Sequence, residues 1–96
     1  MRLSQYKKHF ITTYWKQNFP NCKVYLFGSR TEDTKQGGDI DLLVLNHLPI
    51  DYKTKFNFIE NFCEEFGEQR VDVSTFTFDY TTTPFKFIAL HTAVEL

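Results

Sequence analysis

The chain has few residues of the kinds that define several large classes of protein. Its two cysteines, Cys22 and Cys63, form no CxxC pair, and its three histidines are scattered, so neither a disulfide framework nor a zinc site is predicted. No apolar run approaches the roughly 20 residues of a membrane helix. The first residues also contain no apolar segment of the kind found in secretory signals. We therefore expect a cytoplasmic protein with reduced thiols that does not contact a membrane.

An excess of charge of one sign is also lacking. Eleven basic and twelve acidic residues give a formal charge of -1, whereas a protein that binds nucleic acid through its phosphates is normally basic. We therefore expect no direct nucleic-acid binding. Hydrophobic residues make up 42% and aromatic residues 18% of the 96 residues, which excludes a disordered chain. This length and composition predict one domain that spans residues 1–96.

The spacing of apolar residues predicts an α/β domain. Steps of three and four indicate helices, and short segments rich in β-branched and aromatic residues indicate strands. The predicted elements are a helix over about 4–18, strands over 23–27 and 39–45, a helix over 53–66, a strand over 70–76 and a helix over about 85–94. In the second helix, the residues predicted to share one apolar face are Phe56, Ile59, Phe62, Cys63 and Phe66. This order, α-β-loop-β-α-β-α, is typical of a small sheet backed by helices.

Two aspartates occupy alternate positions at the start of the second predicted strand. Side chains at positions i and i+2 of a strand point to the same side, so Asp39 and Asp41 are predicted to project together. Two carboxylates held this close repel each other, and a divalent cation that prefers oxygen ligands, such as Mg²⁺, removes the repulsion. If the third strand lies beside the second, Asp72 joins the cluster, and three carboxylates can hold two metal ions about 4 Å apart.

A Gly-Ser-Arg segment follows the first predicted strand. Gly28 permits a tight turn and a close approach of the backbone to a ligand. Ser29 offers a hydroxyl and a backbone N–H that suits a phosphate, and Arg30 adds a positive charge. The segment therefore predicts the triphosphate-binding side of a cleft whose other side holds the metal ions.

Each of these features alone has a simpler explanation. An Asp-x-Asp pair often lies at a solvated strand edge, a Gly-Ser pair is usually a turn, and Asp72 can pair with Arg70. The combination is more specific, because aspartate is a poor strand former and all three aspartates lie at strand positions beside apolar residues. We therefore favour a metal–nucleotide cleft over structural roles for these residues.

Together these segments resemble the minimal nucleotidyltransferase (MNT) family of the DNA polymerase β-like superfamily. The segments that carry the resemblance are Gly28-Ser29-Arg30, Asp39-Ile40-Asp41-Leu42 and Arg70-Val71-Asp72-Val73. In the order of its elements, the resemblance covers nearly the whole chain. It implies the MNT fold, with a small mixed β-sheet backed by helices.

The resemblance also implies a mechanism in which AMP is transferred from ATP to a hydroxyl group. Asp39 and Asp41 would ligate two Mg²⁺ ions, and Asp72 would ligate the catalytic ion and help to activate the attacking hydroxyl. The hydroxyl would attack the α-phosphorus in line, and pyrophosphate would leave. The residues implied in binding the triphosphate of ATP are Gly28, Ser29 and Arg30.

MNT proteins of this size resemble the antitoxin half of toxin–antitoxin modules whose toxin is a helical HEPN-domain RNase. In that family the MNT protein transfers AMP to a tyrosine of the toxin, which implies an antitoxin role and a hetero-oligomer here. The short chain agrees, because a second protein is then expected to supply the acceptor. Aromatic residues near the C-terminus favour a partner surface, although a small domain can also use them in its core. They are Phe76, Phe78, Tyr80, Phe85 and Phe87.

Two alternatives to this function stay open. A nucleotidyltransferase of the same chemistry can act on a small molecule such as an antibiotic, although such enzymes usually carry extra chain around the acceptor. A non-enzymatic antitoxin or scaffold can neutralise its partner by binding alone, although the complete set of three carboxylates counts against that hypothesis.

Overall fold

The computed structural model describes residues 4–27, 40–78 and 93–96. Within these ranges the chain forms two helices and four strands. Their bounds are α1 Gln5–Asn18, β1 Lys23–Phe27, β2 Ile40–Asn46, α2 Tyr52–Phe66, β3 Val71–Thr77 and β4 Val94–Glu95. The first five elements begin and end within one residue of the predicted bounds. The prediction of these five elements is therefore confirmed.

Helix α1 packs one face against the sheet. Ser4 is its N-cap, and the Ser4 hydroxyl accepts a hydrogen bond from the backbone N–H three residues later, at 3.2 Å. At the other end, the N–H of Phe19 donates to the carbonyl of Trp15. Ile11 and Trp15 are four positions apart and fully buried, so they form the apolar stripe that the periodicity predicts.

Helix α2 corrects part of the sequence prediction. Its buried residues are Phe58 and Phe62, whereas Phe56, whose spacing predicts it on the same face, is 54% exposed. Each residue of an α-helix turns about 100°, so Phe58 and Phe62 point in nearly the same direction and Phe56 lies about 200° from Phe58. The other face of α2 therefore also carries aromatic residues, and apolar spacing alone does not distinguish the two faces.

The four strands form one mixed sheet in the order β3-β2-β1-β4. Strand β1 is antiparallel to β2 and to β4, and β2 is parallel to β3. One face of the sheet carries the hydrophobic core, because alternate residues of the strands join buried residues of both helices there. Core residues from these elements are Ile11, Trp15, Val24, Leu26, Ile40, Leu42, Val44, Phe58, Phe62 and Val71. This arrangement is the mixed α/β fold that the sequence predicts.

The short strand β4 is not predicted by the sequence pattern. Val94 pairs with Leu26, and Glu95 pairs with Tyr25. The predicted helical state of Val94 is therefore wrong, since a short apolar run has no periodicity that separates a strand from a helix end, and valine favours strands. Residues 85–92 of that predicted helix lie outside the described residues. So do three of the C-terminal aromatic residues: Tyr80, Phe85 and Phe87.

Cys22 and Cys63 are both free thiols, as predicted. Neither described helix has the combination of length and apolar character needed to cross a membrane.

Candidate active site

Asp41 and Asp72 lie side by side on neighbouring strands. They are register partners in the parallel β2–β3 pair, and the residues on either side of each of them face the core. Successive side chains of a strand alternate between the two faces of a sheet, so both carboxylates project from the face opposite the core. Neighbouring strands are separated by about 4.8 Å, which makes these two side chains direct neighbours. The third strand therefore lies beside the second, which is the condition for Asp72 to join Asp41.

The end of β1 lies on the other side of Asp41. Phe27, the last residue of β1, pairs with Asp41 in the antiparallel β1–β2 register. Three strands therefore bring Phe27, Asp41 and Asp72 into one row across the sheet. In the sequence, Gly28 directly follows Phe27, and Asp39 directly precedes the first residue of β2.

Four of the six predicted site residues lie outside the described residues. They are Gly28, Ser29, Arg30 and Asp39. Their roles stay predictions, and the described part of the site consists of Asp41 and Asp72.

Asp72 forms an ion pair with Arg70, which is the simpler explanation for an aspartate at this position. Arg70 Nε lies 3.7 Å from Asp72 Oδ2, and the two side chains are 73% and 54% exposed. An exposed ion pair at this distance contributes about 1 kcal/mol or less to stability. The pair therefore gives little reason for an aspartate at this strand position. The carbonyl of Arg70 also accepts a hydrogen bond from the N–H of Ile40 at 3.0 Å, and this bond begins the β2–β3 ladder.

The neighbouring carboxylates fit a divalent metal ion. Asp41 is half-buried and Asp72 is exposed, so both can reach a cation on the outer side of the sheet. Their negative charges repel each other at this separation, and carboxylate oxygens are the ligands that Mg²⁺ prefers. Within the ranges 4–27, 40–78 and 93–96 there is no group of three or more His, Cys, Asp or Glu side chains that could hold a metal. The predicted third ligand, Asp39, is not among those residues.

A groove that the sequence does not predict runs between α2 and β3, next to Asp72. Its volume is about 220 Å³, and we call it the β3 groove. Its lining residues are Tyr52, Lys55, Phe56, Ile59, Val71, Asp72 and Val73. The two aromatic residues are 67% and 54% exposed, with ring centroids 5.1 Å apart. The sequence signal for this groove is an aromatic pair four positions apart on α2 that does not belong to the core face.

Comparisons with known proteins identify the family and the fold. A family model described as a nucleotidyltransferase domain matches residues 11–93. No curated protein matches the chain. Among solved structures, the chain is similar to the toxin–antitoxin MntA–HepT, with a TM-score of 0.66 and 17% identity over 96% of this chain and 70% of that one.

Two other solved structures have the same fold. One is a toxin–antitoxin with AMP-PNP, with a TM-score of 0.68 and 18% identity over 92% of this chain and 70% of that one. The other contains the tri-AMPylated Shewanella oneidensis HEPN toxin in complex with an MNT antitoxin. Its TM-score is 0.66, with 18% identity over 97% of this chain and 71% of that one. These likenesses show that the four-stranded mixed sheet with its helices is the minimal nucleotidyltransferase fold.

Proposed function

The chain belongs to the nucleotidyltransferase domain family, and from this premise we propose that it transfers AMP from ATP to a tyrosine hydroxyl of a partner HEPN-domain toxin. In this proposal the transfer silences the toxin, and the chain acts as its antitoxin in a cytoplasmic hetero-oligomer. The observation that carries the proposal is the register pairing of Asp41 with Asp72. Two carboxylates on one face, beside the end of β1, form half of a cleft for a metal-bound triphosphate.

The acidic residues are proposed to hold two Mg²⁺ ions. Asp39, Asp41 and Asp72 would be the ligands, and the bound ions would stabilise negative charge on the phosphates in the transition state. The β2–β3 ladder would set the spacing of Asp41 and Asp72 before ATP binds. This preorganisation is useful because a ligand pair that is already in place needs no reorganisation during the reaction.

The other residues of the chain are proposed to position the two reactants. Gly28, Ser29 and Arg30 would bind the triphosphate on the β1 side of the cleft. Asp72 would orient the acceptor hydroxyl and favour loss of its proton. The tyrosine oxygen would form a bond to the α-phosphorus while the bond from that phosphorus to the bridging oxygen breaks, and pyrophosphate would leave.

Two similar solved structures support this acceptor. One similar structure contains a tri-AMPylated HEPN toxin with an MNT antitoxin, and another contains AMP-PNP. The identities of 17–18% show the fold alone. The acceptor, the nucleotide and the partner are therefore parts of the proposal.

Intact-mass measurement of the co-purified partner tests the proposal. The complex is isolated from its native operon, incubated with ATP and Mg²⁺, and compared with the same complex carrying Asp72→Asn. We expect the mass of the partner to increase by one or more AMP groups with the wild type and not with the variant. A matched control is Asp51→Asn, which also removes one carboxylate, at a helix N-cap that asparagine fills well.

The remaining outcomes separate the alternatives. If Asp72→Asn still neutralises the partner in cells as well as the wild type does, the chain acts by binding alone. If AMP appears only on a small hydroxyl compound added to the reaction, the acceptor is not a protein. Either result would overturn the proposed function.

A further inference from the structure

A positive charge lies directly beside the candidate metal site. Arg70 comes two positions before Asp72, and its Nε lies 3.7 Å from Asp72 Oδ2. Side chains two positions apart in an extended chain point to the same side, so the guanidinium shares the outer face of the sheet with the carboxylates of Asp41 and Asp72. These three side chains therefore form one charged group, in which the cation is next to one of the two proposed metal ligands.

The backbone of Arg70 is anchored, whereas its side chain is in solvent. Its carbonyl accepts a hydrogen bond from the N–H of Ile40 at 3.0 Å, where the β2–β3 ladder begins. The side chain is 73% exposed, and an exposed ion pair contributes little to stability. The guanidinium therefore stays near Asp72 because of its place in the chain, and another cation can displace it from the carboxylate.

A metal ion at Asp72 has to compete with this guanidinium. Binding of the ion gives up the attraction between Arg70 and Asp72, and the two positive groups then repel each other. Both effects lower the affinity of the carboxylate for a divalent cation. The negative charges of a triphosphate would offset the repulsion, since they attract the metal ion and the guanidinium alike.

We propose that Arg70 is a counter-ion of Asp72 that competes with divalent cations for this carboxylate, so that the site binds metal weakly until the phosphates of ATP are present. As far as it concerns Mg²⁺ and ATP, this inference rests on the proposed function. Arg70 acts through Asp72 and is therefore a positioning residue. Loss of its charge should strengthen metal binding, whereas loss of a residue that orients Asp72 for the metal would weaken it.

Binding of Mn²⁺ to the full chain without nucleotide tests this inference. Free Mn²⁺ is measured by electron paramagnetic resonance at an ionic strength of about 0.1 M. A unit charge about 6 Å from a divalent ion in solvent changes the affinity for that ion about threefold or more under these conditions. We therefore expect Arg70→Gln to bind Mn²⁺ about threefold more tightly or better. Arg70→Lys keeps the charge and should stay within about 1.5-fold of the wild type.

Lys23→Gln is the matched control for the loss of one positive charge. Lys23 is exposed at the start of β1, on the same face of the sheet and four positions from Phe27, which pairs with Asp41. Four strand residues span about 13 Å, and the Debye length at this ionic strength is about 10 Å. The affinity of this control for Mn²⁺ should therefore stay within about 1.5-fold of the wild type.

The salt dependence of Mn²⁺ binding separates an effect of charge from an effect of altered structure. At an ionic strength of about 1 M, the difference between Arg70→Gln and the wild type should nearly disappear, because salt screens the interaction between exposed charges. Three results would overturn the inference. They are Mn²⁺ binding to Arg70→Gln that is no tighter than to the wild type, equally tight binding to Arg70→Lys and Arg70→Gln, and a difference that salt leaves unchanged.

Asp72→Asn separates a failure of this inference from a failure of the proposed function. If Asp72→Asn binds Mn²⁺ as well as the wild type does, the proposed metal site is wrong, and the role of Arg70 is wrong with it. If Asp72→Asn weakens Mn²⁺ binding but Arg70→Gln does not strengthen it, the metal site stands and the inference fails. If Arg70→Gln strengthens Mn²⁺ binding but the wild type transfers no AMP to the partner, the inference about Arg70 stands and the proposed function fails.

Discussion

The two faces of strand β2 have different tasks, although their residues are only one position apart. Ile40 and Leu42 are completely buried against the helices, and Asp41 lies between them on the other face, beside Asp72. The difference is local, because Leu43 and Leu45 are buried on the same face as Asp41, further along the strand. The polar site is thus confined to the end of the strand that pairs with the end of β1. We infer that stability and chemistry can be changed separately within three consecutive residues.

Leu42→Ala should have the largest effect on stability. The side chain is fully buried in the core, and a leucine-to-alanine change in a core typically costs about 2–5 kcal/mol through lost burial and a residual cavity. Chemical denaturation followed by circular dichroism measures this loss. The rate of AMP transfer per folded molecule should stay close to wild type. A loss of less than about 1 kcal/mol would show that the core face of β2 is not where the stability lies.

Asp41→Asn should lower activity strongly and change stability little, the reverse of Leu42→Ala. In the proposed mechanism Asp41 is a metal ligand, and its loss would remove several kcal/mol of transition-state stabilisation, so we expect AMP transfer to fall about a hundredfold or more. The free energy of unfolding should change by about 1 kcal/mol or less, because the side chain is only half-buried. Initial rates with labelled ATP, together with denaturation curves, measure both quantities. Wild-type rates in the variant would show that the outer face of β2 does not take part in the chemistry.

Most of the fold follows from patterns that are local in the sequence. Helix α1 has a capping serine and a clear apolar stripe, and β2 has a nearly continuous apolar run, so both are predicted to within one residue. The core face of α2 is less predictable, because Phe56 and Phe58 are both apolar and only the packing decides which of them is buried. Strand β4 has two residues and depends on pairing with β1, a long-range contact that no local pattern reveals.

The orientation of the candidate site residues Asp41 and Asp72 is more predictable than their surroundings. Alternation within a strand predicts that Asp72 points away from the core, and the structure confirms it. The pairing of Asp41 with Asp72 requires the relative register of two strands, which the sequence leaves open. The β3 groove is still harder to predict, since it forms between a helix and a strand edge whose residues are far apart in the sequence.

Gly67→Ala tests whether the helix side of the sheet can be weakened without affecting the site. Gly67 ends α2 with φ 90° and ψ 171°, a conformation that residues with a side chain rarely adopt. Apart from the adjoining residues, no atom of the described part of the chain lies within 4 Å of an added Cβ, so the expected cost is backbone strain alone, about 1–3 kcal/mol. Thermal unfolding measures this loss, and AMP transfer well below the melting temperature should be unchanged. A parallel loss of activity would mean that the end of α2 is coupled to the site.

Substitution of Asp51, at the other end of α2, should have the smallest effect on stability. This effect should depend on pH. The side-chain and backbone hydrogen bonds from Thr54 hold the pKa of the Asp51 carboxyl below its ordinary value of 3.8. A pKa that is lower in the folded state contributes stability above the unfolded pKa, and this contribution is lost as pH falls through the folded pKa. Asp51→Asn keeps a good N-cap but cannot titrate.

The difference in unfolding midpoint between wild type and Asp51→Asn should therefore be constant near neutral pH. As pH falls below about 4, the difference should shift in favour of the variant. Denaturation of both proteins in the same buffers between about pH 6 and about pH 2 measures this shift, and subtraction removes the titration of all the other carboxyl groups. A pH-independent difference would show that the cap stabilises α2 equally well with and without its charge. AMP transfer at neutral pH should be the same for both proteins, because Asp51 caps a helix on the core side of the sheet and takes no part in the Asp41–Asp72 pair.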